Sequence, residues 1–99
     1  MRFVLMVAAA AFSSSQAAAI ELTPDQLYLL TKDLNDPESA RVRNVSSPEE
    51  LPTAVCGEVN WRGTQGGYLG YKKFWIANGH FAIEGDDLFK TGYGVLGCP

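Results

Sequence analysis

Chemistry-bearing side chains are scarce in this sequence. It has one histidine, His80, and two cysteines, Cys56 and Cys98. A Cys–His nucleophile needs a free thiolate beside an imidazole, and an oxidised cysteine cannot supply one. One histidine and two distant cysteines offer no zinc-ligand spacing. Ser39, Ser46 and Ser47 lie outside any Gly-x-Ser-x-Gly context, so there is no nucleophile elbow. Asp86 and Asp87 beside Glu84 lack the alternating Asp/Asn pattern of a calcium loop and read as a polar turn. Positive charge is also short. Eight Lys and Arg stand against 11 Asp and Glu, a net charge of −3. That balance argues against nucleic acid and anionic membrane as partners. Arg41 with Arg43, and Lys72 with Lys73, read as solvated strand faces. Internal repeats and low-complexity linkers are absent, and no cofactor is implied.

A long hydrophobic run is missing too. The N-terminus, MRFVLMVAAAAFSSSQAAAIE, has Arg2, then an apolar run from Phe3 to Phe12, then Ala17-Ala18-Ala19 before Ile20. That is the order of a secretory signal peptide. The run is about half of the ~20 residues needed to cross a bilayer. The expectation is a signal peptide over 1–19, cleaved after Ala19 or, as the alternative, after Ala17, and an exported protein, periplasmic or secreted, that is not an integral membrane protein. Residues 20–99 then form one small domain. Without Arg2 the count is 7 basic against 11 acidic residues, near −4.

A chain of this size has a marginal core and benefits from a covalent staple. In an oxidising compartment two cysteines favour a disulfide. A Cys56–Cys98 bridge is expected, against the alternatives of two free thiols or pairing between chains.

Leu22–Leu34, LTPDQLYLLTKDL, predicts a helix. Thr23 and Gln26 form a capping box, Pro24 fits the first helical position, and Leu22 and Leu27 are spaced as a hydrophobic staple. Leu27, Leu30 and Leu34 make one apolar stripe. Asn35 to Ser39 ends the helix, with a further short helical turn allowed from Pro37. Ala40–Val45 alternates small or apolar residues with arginine, the period of a half-buried strand. Thr53–Trp61 reads as a second strand, with Val55, Gly57, Val59 and Trp61 on one face and Ala54, Cys56, Glu58 and Asn60 on the other. Glycines over 63–67 suit a turn. Tyr68–Ile76 reads as a third strand, and Asn78-Gly79 marks a hairpin into His80–Glu84. The tail, LFKTGYGVLGCP, reads as a short edge strand or a loop. The fold class is α+β: one N-terminal helix packed on a small antiparallel sheet of three to four strands, with the opposite sheet face partly exposed.

Glu58 shares a strand face with Cys56, so a covered face would require a partner for its charge, with Arg41 or Arg43 the candidates. A raised pKa there would suit general-acid work in a cell-wall or glycan hydrolase. Binding is the better class. Trp61, Tyr68, Tyr71, Phe74 and Trp75 are too many rings for so small a core, and aromatics on a rigid sheet suit recognition. The candidate contacts are Asn60, Trp61, Arg62, Tyr68, Tyr71 and Lys73. The opposing reading is a thin core filled by ring edges from both faces.

Three segments carry a resemblance: Leu34-Asn35-Asp36-Pro37-Glu38-Ser39-Ala40-Arg41-Val42, Val55-Cys56-Gly57-Glu58-Val59-Asn60 and Gly66-Gly67-Tyr68-Leu69-Gly70-Tyr71. Together they resemble a family of short exported proteins of proteobacteria and their phages, with Leu-x-Asp-Pro-x-Ser-Ala-x-Phe, Val-Cys-Gly-x-Val-Asn and Gly-Gly-Tyr-x-Gly segments. Val42 stands where that pattern has phenylalanine, and Trp61-Arg62-Gly63-Thr64 replaces a more polar link. The resemblance implies export and a compact domain and supplies no reaction. The expected function is a non-enzymatic binding or inhibitor-type module facing a protein or cell-wall partner. A structural or envelope-stress protein without a pocket is the alternative, and a hydrolase using Glu58 a third.

Overall fold

The computed structural model describes residues 20–99, so the expected signal peptide lies outside the described residues. Helix α1 spans Pro24–Thr31. It starts where the capping box closes: Gln26 N–H donates to Thr23 Oγ1 at 3.1 Å, and Thr23 N–H donates to Gln26 Oε1 at 2.9 Å. It ends earlier than its apolar stripe suggests. Leu30 is buried and Leu34 half-buried, while Leu27 is exposed and Leu22 and Leu29 pack on the core instead. A 3-10 turn follows at Pro37–Ser39, entered through Asp36 in the left-handed region at φ 51°.

Four strands then form an antiparallel meander in chain order: β1 Arg41–Ser46, β2 Val55–Asn60, β3 Lys72–Ala77 and β4 His80–Ile83. Asn78 and Gly79 take φ 52° and 78°, the positive pair that matches a two-residue hairpin to the twist of its strands. The expected strand over Tyr68–Ile76 begins only at Lys72. Tyr68 makes a single bridge to Arg62, and Gly70, at φ 102°, turns the chain before pairing resumes.

The expected tail is corrected. Residues Phe89–Leu96 form a second helix, α2. Its glycines have tertiary reasons. A Cβ on Gly92 would lie 2.3 Å from the Trp75 ring, so only glycine lets the helix approach that close. Gly97, at φ 74°, ends the helix, and Cys98 N–H donates back to the Tyr93 carbonyl, a Schellman closure.

The two helices sit on opposite sheet faces. Leu30 of α1 packs with Val55, Val59, Phe74, Ile76 and Ile83, which share the first face. Phe74 is fully buried over Gly57, where a Cβ would meet its ring at 2.8 Å. On the second face α2 covers Cys56, Trp75 and Ala82. Trp75 Nε1–H donates to the Phe89 carbonyl at 3.1 Å, and Phe89 is itself buried. The Cys56–Cys98 disulfide ties the end of α2 to β2. The described residues therefore form an α+β fold of two helices, a four-stranded antiparallel sheet and one disulfide. Among the described residues, α2 covers one part of the second face and leaves the part around Arg43, Glu58 and Lys73 open. Among the described residues no helix is long and apolar enough to cross a membrane.

Candidate functional site

The six candidate residues divide into two groups. Asn60, Trp61, Arg62 and Tyr68 are held in internal contacts. Asn60 Oδ1 accepts from Gly70 N–H at 2.9 Å and fixes the turn that returns the chain to β3. Trp61 is half-buried against the core. Arg62 pairs with Asp36 through Nη2 at 2.8 Å and Nε at 3.1 Å, both to Oδ2. Its backbone N–H donates to Ser39 Oγ at 2.9 Å, and its carbonyl accepts from Asn35 Nδ2 at 3.0 Å. Tyr68 Oη–H donates to the Ser39 carbonyl at 2.9 Å.

Ser39, 3% exposed, is the hub of this clamp. Its hydroxyl donates to the Asp36 carbonyl at 2.7 Å while accepting from Arg62, so both of its functions are filled. The clamp locks the 61–70 loop onto the 35–39 turn. The Asp-Pro-x-Ser, Val-Cys-Gly-x-Val-Asn and Gly-Gly-Tyr-x-Gly segments thus interlock in space: Ser39 meets Tyr68, Asn60 meets Gly70, and Gly57 makes room for Phe74.

Tyr71 and Lys73 lie elsewhere, on the open half of the second face. Register brings Arg43 of β1 opposite Glu58 of β2, and Glu58 opposite Lys73 of β3. Glu84, just beyond β4, continues the row: its N–H donates to the Lys73 carbonyl, and its Oε1 accepts from Lys73 N–H at 3.1 Å. Signs therefore alternate across the sheet, the arrangement that favours cross-strand neighbours. Arg43 Nε donates to Glu58 Oε1 at 2.8 Å, and Asn44 Nδ2 donates to the same oxygen at 2.8 Å. Of the two arginines considered, Arg43 is the partner. Its guanidinium stacks 3.7 Å above the Tyr71 ring centroid, a cation–π contact.

These bonds decide the protonation of Glu58. The hydrogen bonds from Arg43 and Asn44 hold its carboxyl below the usual range, and that outweighs desolvation. The expectation of a raised pKa is therefore overturned. Glu58 is an ionised acceptor held by Arg43 and Asn44. Lys73 Nζ lies 5.5 Å over the Tyr93 ring. Among the described residues no carboxylate comes within 4.0 Å of it.

Arg43, Glu58 and Tyr93 were not among the expected contacts. Arg43 and Glu58 were legible as an ion pair, but Tyr93 reaches the face only because α2 forms. His80 is exposed at the start of β4. Among the described residues no three of His, Cys, Asp and Glu cluster as a metal site. No protein-family model, curated protein or solved structure matches the chain.

Proposed function

We propose that the protein is a small exported, non-enzymatic module, periplasmic or secreted, that binds a protein or cell-wall partner through the open half of its second sheet face. The observation that carries this reading is the row formed by the Arg43–Tyr71 stack, Glu58 and Lys73, a rigid polar and aromatic surface flanked by Tyr93. Strands hold these groups at fixed spacing, so little side-chain order is lost on binding. The disulfide suits an oxidising compartment and supports export. The resemblance to short exported proteobacterial and phage proteins points the same way.

The structural reading is supported by a different observation: Asn60, Arg62 and Tyr68 are committed to the clamp. The hydrolase reading has the least support, because an ionised Glu58 cannot act as general acid. The deciding experiment is a pull-down from the native host's exported fraction. Tyr71→Ala should leave the melting temperature near that of the parent and abolish capture of the partner. Trp61→Ala should lower the melting temperature, because that ring packs on the core. Unchanged capture by Tyr71→Ala and Lys73→Ala would move the function off this face. An activity lost on Glu58→Gln in a muropeptide or glycan screen would restore the hydrolase.

A further inference from the structure

Between β2, β3 and the C-terminal segment the open face dips into a cleft of about 210 Å³, walled by Asn44, Glu58, Lys73, Tyr93 and Pro99. That volume is below the about 300–1,000 Å³ of pockets that enclose a drug-sized ligand, so a single small group fits it. Its two charged side chains are incompletely used. Glu58 Oε1 takes both Arg43 and Asn44, and among the described residues no hydrogen bond reaches Oε2. Lys73 is likewise without a carboxylate within 4.0 Å, although it stands directly across the strands from Glu58. The cleft therefore presents one free acceptor and one free donor on a rigid frame.

Charge decides what can occupy it. A simple anion would be drawn to Lys73 but repelled by ionised Glu58 and by the net negative protein. A simple cation would meet Glu58 but also Lys73 and Arg43. A ligand with both signs close together is complementary to both groups. We infer that the cleft binds an amino-acid head group, an ammonium and a carboxylate on one carbon. The ammonium donates to Glu58 Oε2, and the carboxylate accepts from Lys73 Nζ. This rests on the reading of the open face as a binding surface. Such a head group occurs in free amino acids and at the end of a side chain in a larger molecule.

The test is an amide NMR titration of the intact protein with L-alanine, with N-acetyl-alanine, with alanine amide, and with mono-N-acetyl-diaminopimelate. The last carries the head group on a longer chain. L-alanine should give saturable shifts at Glu58, Lys73 and Tyr93. Each blocked form should bind about tenfold or more weakly, since each loses one charge-assisted hydrogen bond. Lys73→Met, at an exposed position, should remove the difference between alanine and its amide. Glu58→Gln should remove the difference between alanine and N-acetyl-alanine. Mono-N-acetyl-diaminopimelate binding more tightly than alanine would assign a side-chain source, and equal binding a free amino acid. Absence of saturable shifts, or equal binding of the blocked forms, overturns the inference. If titration fails while partner capture still depends on Tyr71, the inference falls alone. If both fail, the binding reading falls with it.

Discussion

Replacing Cys98 with serine should release α2 first and destabilise the whole domain as well. The cysteines are 42 residues apart, and the loop-entropy model gives about 4 kcal/mol for a bridge of that span. Small domains have about 5–15 kcal/mol in total, so this is a large share. Helix α2 has little of its own to hold it. Its eight residues fall short of the about 12–15 at which isolated helices become even marginal. Gly92 and Gly94 each cost about 1 kcal/mol relative to alanine. No side chain caps its N-terminus. What remains is the burial of Phe89, about 1.5–3 kcal/mol, and the bond from Trp75 to the Phe89 carbonyl, about 0.5–1.5 kcal/mol. The assays are urea unfolding and amide hydrogen exchange, each on the oxidised, reduced and Cys98→Ser proteins. With m about 1–3 kcal/mol/M, the midpoint should fall by about 1.3–4 M. Amides within 92–98 should lose protection before those of β2 and β3. A midpoint drop below about 0.5 M, with α2 amides still protected after reduction, would refute the claim that the bridge holds this helix.

Other substitutions test other parts of the fold. Ser39→Ala leaves the Arg62 N–H without its acceptor and should cost about 1–3 kcal/mol in urea unfolding. Gly92→Ala and Gly94→Ala should act in opposite directions. The first drives a Cβ into the Trp75 ring and should destabilise by about 1–3 kcal/mol; the second meets nothing within 4 Å and should stabilise by about 0.5–1 kcal/mol. Thermal melts of the pair give both signs at once. The folded-state pKa of Glu58 is depressed, so its contribution is complete above its ordinary value of 4.5 and is lost as pH falls through the folded value. Glu58→Gln should therefore be less stable than the parent at pH 7, by about 0–1 kcal/mol for so exposed a pair, with a flatter stability curve below pH 4.5. Parallel acid curves for the two proteins would show that the Arg43 and Asn44 bonds do not bias its ionisation.

Elements specified by local chemistry were legible in the sequence. The Thr23–Gln26 box needs only four residues of chain, and Asn78-Gly79 fixes its hairpin by its own backbone preference. With two cysteines, only one bridge could form within the chain. What was not legible depends on contacts between distant segments. Gly92 looks like a helix breaker until Trp75 is placed against it. Tyr68 to Tyr71 alternates like a strand, but the Tyr68 hydroxyl is drawn to Ser39 and Gly70 to Asn60, and those bonds hold the segment out of the ladder. Leu27 has the right spacing for the core, yet the helix rolls so that Leu29 and Leu30 face inward. The six-residue site was drawn from one stretch of chain, and its three clamp members, Asn60, Arg62 and Tyr68, lie close in sequence because they fix one loop.

Salience in the sequence and availability at the surface therefore point in different directions here. The residues that make this chain distinctive are committed inside the fold: Asp36 and Tyr68 bond to Ser39, Asn60 bonds to Gly70, and Gly57 packs under Phe74. The open row consists of residues that are ordinary one at a time. Its order exists only through register. Arg43 meets Glu58, and Glu58 meets Lys73, because β1, β2 and β3 are aligned as they are, and a one-residue slip would turn all three to the other face. That slip is barred from the opposite side of the sheet, where it would expose Val59 and Phe74, both fully buried. The core packing on the first face thus fixes the charge order on the second. Substitutions that loosen Phe74 over Gly57 should disturb the Glu58–Lys73 cleft without touching either residue.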